Sequence, residues 1–167
     1  MKEYVRTILD YPVKGIKFRD ITTLLQNSNH FEKLIDEMIL PWQNEKIDAI
    51  LSIESRGFIM AGALAYKLKT AFIPLRKPDK LPGETFSVSY TLEYGSTEMH
   101  IHKDALNNHK NLLIIDDLLA TGGTVNCVSK ILESNNKEVV GILVVIELLK
   151  LEGKLKLHLP IESSITF

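Results

Sequence analysis

Apolar residues fall along this chain in two different rhythms. Four segments, Asp48 to Ile53, Ala71 to Leu75, Leu112 to Ile115 and Val139 to Ile146, are nearly continuous apolar runs. A strand covered on both faces has that pattern, as in a parallel sheet. Between the first two runs lies SRGFIMAGALAYKLK, in which Ile59, Ala63, Tyr66 and Leu68 recur near helical spacing. Between the last two, Val125, Val128, Ile131 and Leu132 do the same, and Asn135-Asn136 marks a stop. Strand, helix and strand in succession predict βαβ units, whose crossover is almost always right-handed. A further helix is predicted from about Phe31 to Leu40, with Phe31, Leu34, Ile35, Met38 and Ile39 on one face and Pro41 ending it.

From Glu84 to His102 the rhythm changes to alternation. Phe86, Val88 and Tyr90 lie two apart, and Gly95-Ser96 separates them from Met99 and Ile101, which predicts an antiparallel hairpin outside the parallel core. The preceding RKPDKLPG holds two prolines, a glycine and three Lys or Arg residues, the composition of an exposed loop. No repeats or low-complexity tracts interrupt the pattern. The expectation is one α/β domain over residues 1–167: a mainly parallel twisted sheet flanked by helices.

Composition narrows the classes of partner. The 167 residues are 45% apolar and 25% charged, enough for one substantial core. A formal net charge of −1 offers no global attraction to nucleic acid or to an anionic membrane surface, so an anion needs a local site. The single cysteine, Cys127, excludes an internal disulfide and a cysteine-based zinc cluster, and it suits a reducing cytosol. Charges run through Met1 to Asp10, which does not read as a secretory signal. The longest apolar run, Val139 to Leu149, includes Gly141 and Glu147 and is short of the ~20 residues that span a bilayer. His100, His102 and His109 have no metal-ligand spacing and read as surface residues.

Chemistry concentrates in LLIIDDLLATGGT, Leu112 to Thr124. Asp116 and Asp117 stand at the carboxyl end of a predicted parallel strand, where open α/β sheets bind ligands. Adjacent carboxylates repel, and a sugar diol or a metal ion makes that placement favourable. The following ATGGT leads into a helix: Gly122 and Gly123 let the backbone approach a ligand, Thr121 and Thr124 add hydroxyls, and free N–H groups at a helix start suit phosphate. A diol beside a phosphate describes a ribose 5-phosphate. Neither GxxxxGK[ST] nor GxGxxG fits this segment.

The segment resembles the phosphoribosyl pyrophosphate (PRPP) motif of the type I phosphoribosyltransferases. GIKFRDIT (Gly15 to Thr22), ESRGF (Glu54 to Phe58), RKPDKLPG (Arg76 to Gly83) and YTLEYG (Tyr90 to Gly95) narrow the resemblance to the family's adenine-using branch. It implies transfer of ribose 5-phosphate from PRPP to N9 of adenine, giving AMP and pyrophosphate, with Mg2+ held mainly by PRPP and water and with no direct protein ligand. By that resemblance Asp116 and Asp117 hold the ribose hydroxyls, while Ala120, Thr121, Gly122, Gly123 and Thr124 hold the 5′-phosphate. Ser55, Arg56, Arg76 and Lys80 face pyrophosphate, with Arg76 reaching across a dimer interface; similar enzymes often carry a non-proline cis peptide within ESRGF. Phe18 stacks on adenine, main-chain groups near Lys17 and Arg19 read its polar edge, and Leu148 packs on the other face. Glu93, on a mobile flap of about residues 80–103, approaches N7, and Arg56 shares the catalytic role. The resemblance further implies a hood of about residues 1–25 and a cytoplasmic homodimer taking adenine and PRPP, without nucleic acid or membrane.

Taken alone, Phe18 would read as a core residue and Arg56 as an ordinary ion-pair partner. Lys14 and Lys17 depart from the proline and apolar residue that the family pattern leads one to expect. Two alternatives stay open at this level: transfer to xanthine or hypoxanthine, and a nucleotide-sensing regulator on the same fold.

Overall fold

The computed structural model describes residues 1–92 and 95–167, with the backbone alone for 88, 90–92 and 95–97. The continuous apolar runs form four of the five strands of one parallel sheet. Strands β3 (Ala49–Ile53), β4 (Ala71–Leu75), β7 (Asn111–Leu119), β8 (Glu138–Glu147) and β9 (Ile161–Thr166) pair in the order β4-β3-β7-β8-β9. All four pairings are parallel. Every residue of β3 is buried, as are the first five of β7 and the last seven of β8. Two-sided burial explains why these strands do not alternate.

Side chains leave the sheet alternately, so each face has its own core. On one face Leu51, Ile53, Leu112, Ile114, Ile142 and Val144 pack with Val125, Val128 and Leu132 of helix α4 (Gly123–Ser134). On the other, Ile50, Leu113, Ile115, Leu143 and Val145 meet helices α2 (Ser28–Ile39) and α3 (Gly57–Leu68). Helix α2 buries Leu34, Ile35 and Met38, three of the five expected positions. Helix α3 differs from expectation: it buries Gly57, Met60, Ala61, Leu64 and Ala65, while Ile59 is 48% and Tyr66 87% exposed. Small residues let α3 lie close to the sheet, which a reading weighted toward large apolar residues misplaces by about a quarter turn.

Two antiparallel hairpins lie outside the sheet. Strands β5 (Thr85–Leu92) and β6 (Gly95–His102) pair with Phe86 opposite Ile101 and Val88 opposite Met99. Gly95 and Ser96, expected as the turn, are instead the first residues of β6, opposite Leu92 and Thr91. Met99 and Ile101 are buried in the α4-side core, and His100 exchanges two backbone hydrogen bonds with Arg76, so the hairpin is rooted at the end of β4.

The second hairpin joins β1 (Arg6–Leu9) to β2 (Lys17–Asp20), followed by the single helical turn α1 (Thr22–Leu25). Asp20 ties all three together, accepting from the Arg6 guanidinium and from the N–H and hydroxyl of Thr22. Burial alone would raise the Asp20 pKa, but those bonds outweigh it and hold the carboxyl at about 2. Among the described residues no helix is long and apolar enough to cross a membrane.

Candidate active site

Strands β3, β7 and β8 all end on one edge of the sheet. There β7 carries Asp116, half-buried, and Asp117, buried. Asp116 Oδ1 accepts the Asp117 N–H at 2.8 Å. Burial pushes the Asp116 pKa well above the usual carboxylate range, and the neighbouring charge of Asp117 adds to it. Asp117 has a cation of its own: Arg56 Nε stands 2.6 Å from its Oδ2. The two carboxylates therefore differ, one ion-paired and one compressed by burial and repulsion.

Close packing beneath them fixes the edge. A Cβ at Gly57, the first residue of α3, would lie 2.8 Å from Ser52 Oγ and 3.2 Å from Asp116 Cα. Ser52, fully buried, donates to the Ile115 carbonyl at 3.0 Å. Residues 52 and 57 thus meet the distant residue 116 at one point.

Beyond β7 the chain turns at Gly122, whose φ of +79° lies in the left-handed region, and α4 starts at Gly123. Asp116, Ala120, Thr121, Gly122, Gly123 and Thr124 all line a hollow of about 140 Å³. The first N–H groups of a helix lack intrahelical acceptors and its N-terminal end is partly positive, so the hollow suits an anion. The residues expected to hold a diol and a phosphate are neighbours here.

Arg56 also links this edge to the hood. Its guanidinium lies 4.9 Å from the Phe18 ring centre, and Tyr11 meets Phe18 edge-on at 5.1 Å. Phe18 is half-buried and belongs to neither core, which removes the ordinary core reading. Arg19 points elsewhere: it stacks on the Phe167 ring at 3.8 Å and donates to Thr7, leaving only its main chain for a ligand. Leu148 follows β8 directly, half-buried, and its N–H donates to the Leu119 carbonyl at the mouth of the loop.

The cationic loop is arranged differently from the simple expectation. Arg76 Nε stands 3.4 Å from Glu54 Oε2 in its own chain, and Arg76 also donates to the Lys80 carbonyl at 3.3 Å. The Lys77 N–H, at 2.8 Å from Glu54, is the main influence lowering the Glu54 pKa; burial opposes it and Arg76 assists. Lys80 and Ser55 are exposed, and the Glu54–Ser55 peptide is cis, within ESRGF as the resemblance implies. Glu54 was not a predicted site residue, although a carboxylate at the end of a buried strand could have signalled it. Glu93 and Tyr94 lie outside the described residues.

Known proteins with this arrangement are found by both sequence and structure. Residues 20–160 match the family model described as the phosphoribosyl transferase domain. An adenine phosphoribosyltransferase of Prochlorococcus marinus is 48% identical over 99% of this chain and 96% of its own. The crystal structure of adenine phosphoribosyltransferase from Thermoanaerobacter pseudethanolicus superposes with a TM-score of 0.93 at 44% identity, covering 99% of this chain and 97% of that one. The Saccharomyces cerevisiae enzyme, complexed with an imino-altritol bisphosphate and adenine, gives 0.90 at 35% identity, covering 98% and 95%. With the paired carboxylates, the phosphate hollow and this full-length likeness together, the chain belongs to the phosphoribosyltransferase family, in its adenine phosphoribosyltransferase branch.

Proposed function

We propose that this chain transfers ribose 5-phosphate from PRPP to N9 of adenine, giving AMP and pyrophosphate. The observation that carries the reading is the adjacency of Asp116-Asp117 to the hollow at the start of α4. The C1′–O bond to diphosphate breaks, the N9–C1′ bond forms, and the N9 proton leaves. Asp116 and Asp117 would accept from the ribose hydroxyls, and Ala120 to Thr124 would hold the 5′-phosphate. As the diol claims Asp117, Arg56 would turn to the departing diphosphate, joined by Ser55, Arg76 and Lys80. Cations there stabilise the leaving group more than the bound substrate.

Phe18 would stack on adenine, with Leu148 on its far side and main-chain groups of residues 17 to 19 reading N1 and the 6-amino group. Glu93 would hydrogen-bond or protonate N7 as N9 attacks, when the flap of about residues 80–103 closes. Magnesium would travel on the oxygens of PRPP and water. Among the described residues no group of three or more His, Cys, Asp or Glu side chains could hold a metal ion.

We further infer one domain, residues 1–167, acting as a homodimer in the cytoplasm, where the free thiol of Cys127 suits reducing conditions. Support for the dimer lies on α3 and the edge strand β4, where Ile59, Tyr66 and Phe72 are 48%, 87% and 37% exposed. Arg76 follows directly on that edge strand, which supports its reaching across such an interface.

The test is nucleotide formation by the purified chain with PRPP, Mg2+ and each purine in turn. A 6-oxo purine presents the wrong pattern at two atoms, each unpaired polar group costing ~1–3 kcal/mol. Adenine is therefore expected to lead by roughly two to four powers of ten in kcat/KM. Equal or faster turnover of hypoxanthine or xanthine refutes the base assignment, and absence of any nucleotide refutes the transferase reading.

A further inference from the structure

Two glycines from distant parts of the chain meet back to back beneath the phosphate hollow. Gly153 is buried at the head of the short turn Gly153–Lys156. A Cβ on it would stand 2.2 Å from the Ala120 carbonyl oxygen and 3.0 Å from the Gly122 nitrogen. Conversely, a Cβ on Gly122 would stand 2.8 Å from the Gly153 carbonyl oxygen. The backbone of Ala120 to Gly122 therefore rests directly on that of Gly153, with no room for a methyl group between them.

The segment that delivers Gly153 is anchored along its length. Leu148 N–H donates to the Leu119 carbonyl at 3.0 Å, and Leu149 N–H to the Phe167 carbonyl at 2.9 Å. Glu152, at φ 51°, turns the chain into Gly153, and Lys154 Nζ donates to the Ile161 carbonyl at 2.9 Å. A fixed support of this kind has a mechanical meaning, because the hollow works only if several N–H groups converge on one anion.

We propose that Gly153 is a positioning residue for the phosphate subsite: it sets the level at which Ala120 to Thr124 present their N–H groups to the 5′-phosphate. The inference rests on the reading of that loop as the PRPP site. A side chain at 153 would lift the Ala120 carbonyl and tilt the peptides of residues 121 and 122, turning donors away from the anion. Of the groups that would take adenine, the hood is built from another part of the chain, and Leu148, five residues upstream of Gly153, is fixed by its own bond to the Leu119 carbonyl. Sub-ångström misplacement of binding groups is costly, since packed backbone does not deform smoothly.

The experiment compares the full chain, Gly153→Ala and Lys154→Met by ribose 5-phosphate titration, by KM for PRPP and for adenine, and by thermal melting. Overpacking against backbone predicts about a tenfold or greater loss of ribose 5-phosphate affinity in Gly153→Ala and a like rise in PRPP KM. The adenine KM should stay within roughly twofold, as for independent sites. Lys154→Met, which only unties the turn from Ile161, should shift the same two quantities in the same direction by less. A folded Gly153→Ala with unchanged ribose 5-phosphate affinity overturns the proposal, as does equal loss of adenine and ribose 5-phosphate. If Gly153→Ala fails to fold, an unchanged PRPP KM in Lys154→Met overturns it. A parent chain that neither binds ribose 5-phosphate nor makes AMP overturns the function reading itself, and this role with it.

Discussion

Replacing Asp20 with Asn removes one negative charge from the knot that joins β1, β2 and α1, and its cost can be worked out. The drop in the Asp20 pKa from 3.8 to about 2 corresponds to roughly 2.5 kcal/mol of folded-state preference for the charged form. Solvent screening at Arg6, whose side chain is 55% exposed, reduces that to about 1 kcal/mol. The folded pKa is depressed, so the contribution is fully present above the unfolded value of 3.8 and is lost as pH falls through about 2. At pH 6, Asp20→Asn should unfold about 1 kcal/mol more easily in urea and melt roughly 2–4 °C lower. The gap should shrink to about half by pH 3, where the unfolded carboxyl is mostly protonated. Because Phe18 lies two residues away on β2, the adenine KM should rise several-fold while the PRPP KM holds. A gap of equal size at pH 3 and pH 6, or none at pH 6, refutes the reasoning.

Other expectations concern the site and its surface. Asp116→Asn should melt higher than the parent at pH 7: the folded pKa of Asp116 is raised, so its ionisation weakens the empty protein as pH climbs above the unfolded value. The advantage should fade below about pH 4, and melts that ignore pH would refute it. Asp116→Asn with Asp117→Asn should lower AMP formation about 100-fold or more and leave the circular dichroism spectrum unchanged; unchanged kinetics would remove both residues from the diol site. Tyr66→Glu introduces a charge on the exposed α3 face and should weaken self-association more than tenfold in light scattering, whereas an unaffected dimer would move the interface elsewhere.

The inner strands were legible because two-sided burial leaves an uninterrupted apolar signature, and β8 closely follows the expected run; β4, at the sheet's edge, runs from Ala71 to Leu75 as read because AFIPL is apolar throughout. Strand β9 was not legible, since IESSIT buries only Ile161 and Ile165 at an edge and looks like loop composition. The hood strands escaped for a similar reason, as β1 has every residue exposed. In the site, residue types carried the signal for Asp116, Asp117 and the Gly-Gly turn. Partners did not: nothing in the order of residues says that Arg56 reaches Asp117, that Arg76 turns to Glu54, or that Gly153 lies under Ala120. Those are long-range packing outcomes, and only the folded backbone brings them together.

On the proposed reading of the site, the Arg56–Asp117 pair would give substrate binding the character of an exchange. Each charge already has a partner 2.6 Å away, so an incoming group would gain only the difference between new and old bonds. A ligand bringing diphosphate alone draws off the arginine and strands a buried carboxylate. A ligand bringing a diol alone occupies the carboxylate and strands the arginine. Either fragment leaves one charge unmatched in a confined place, which is costly. A molecule that offers both ends would settle both at once, so the protein would discriminate against halves of its substrate without needing a second recognition element.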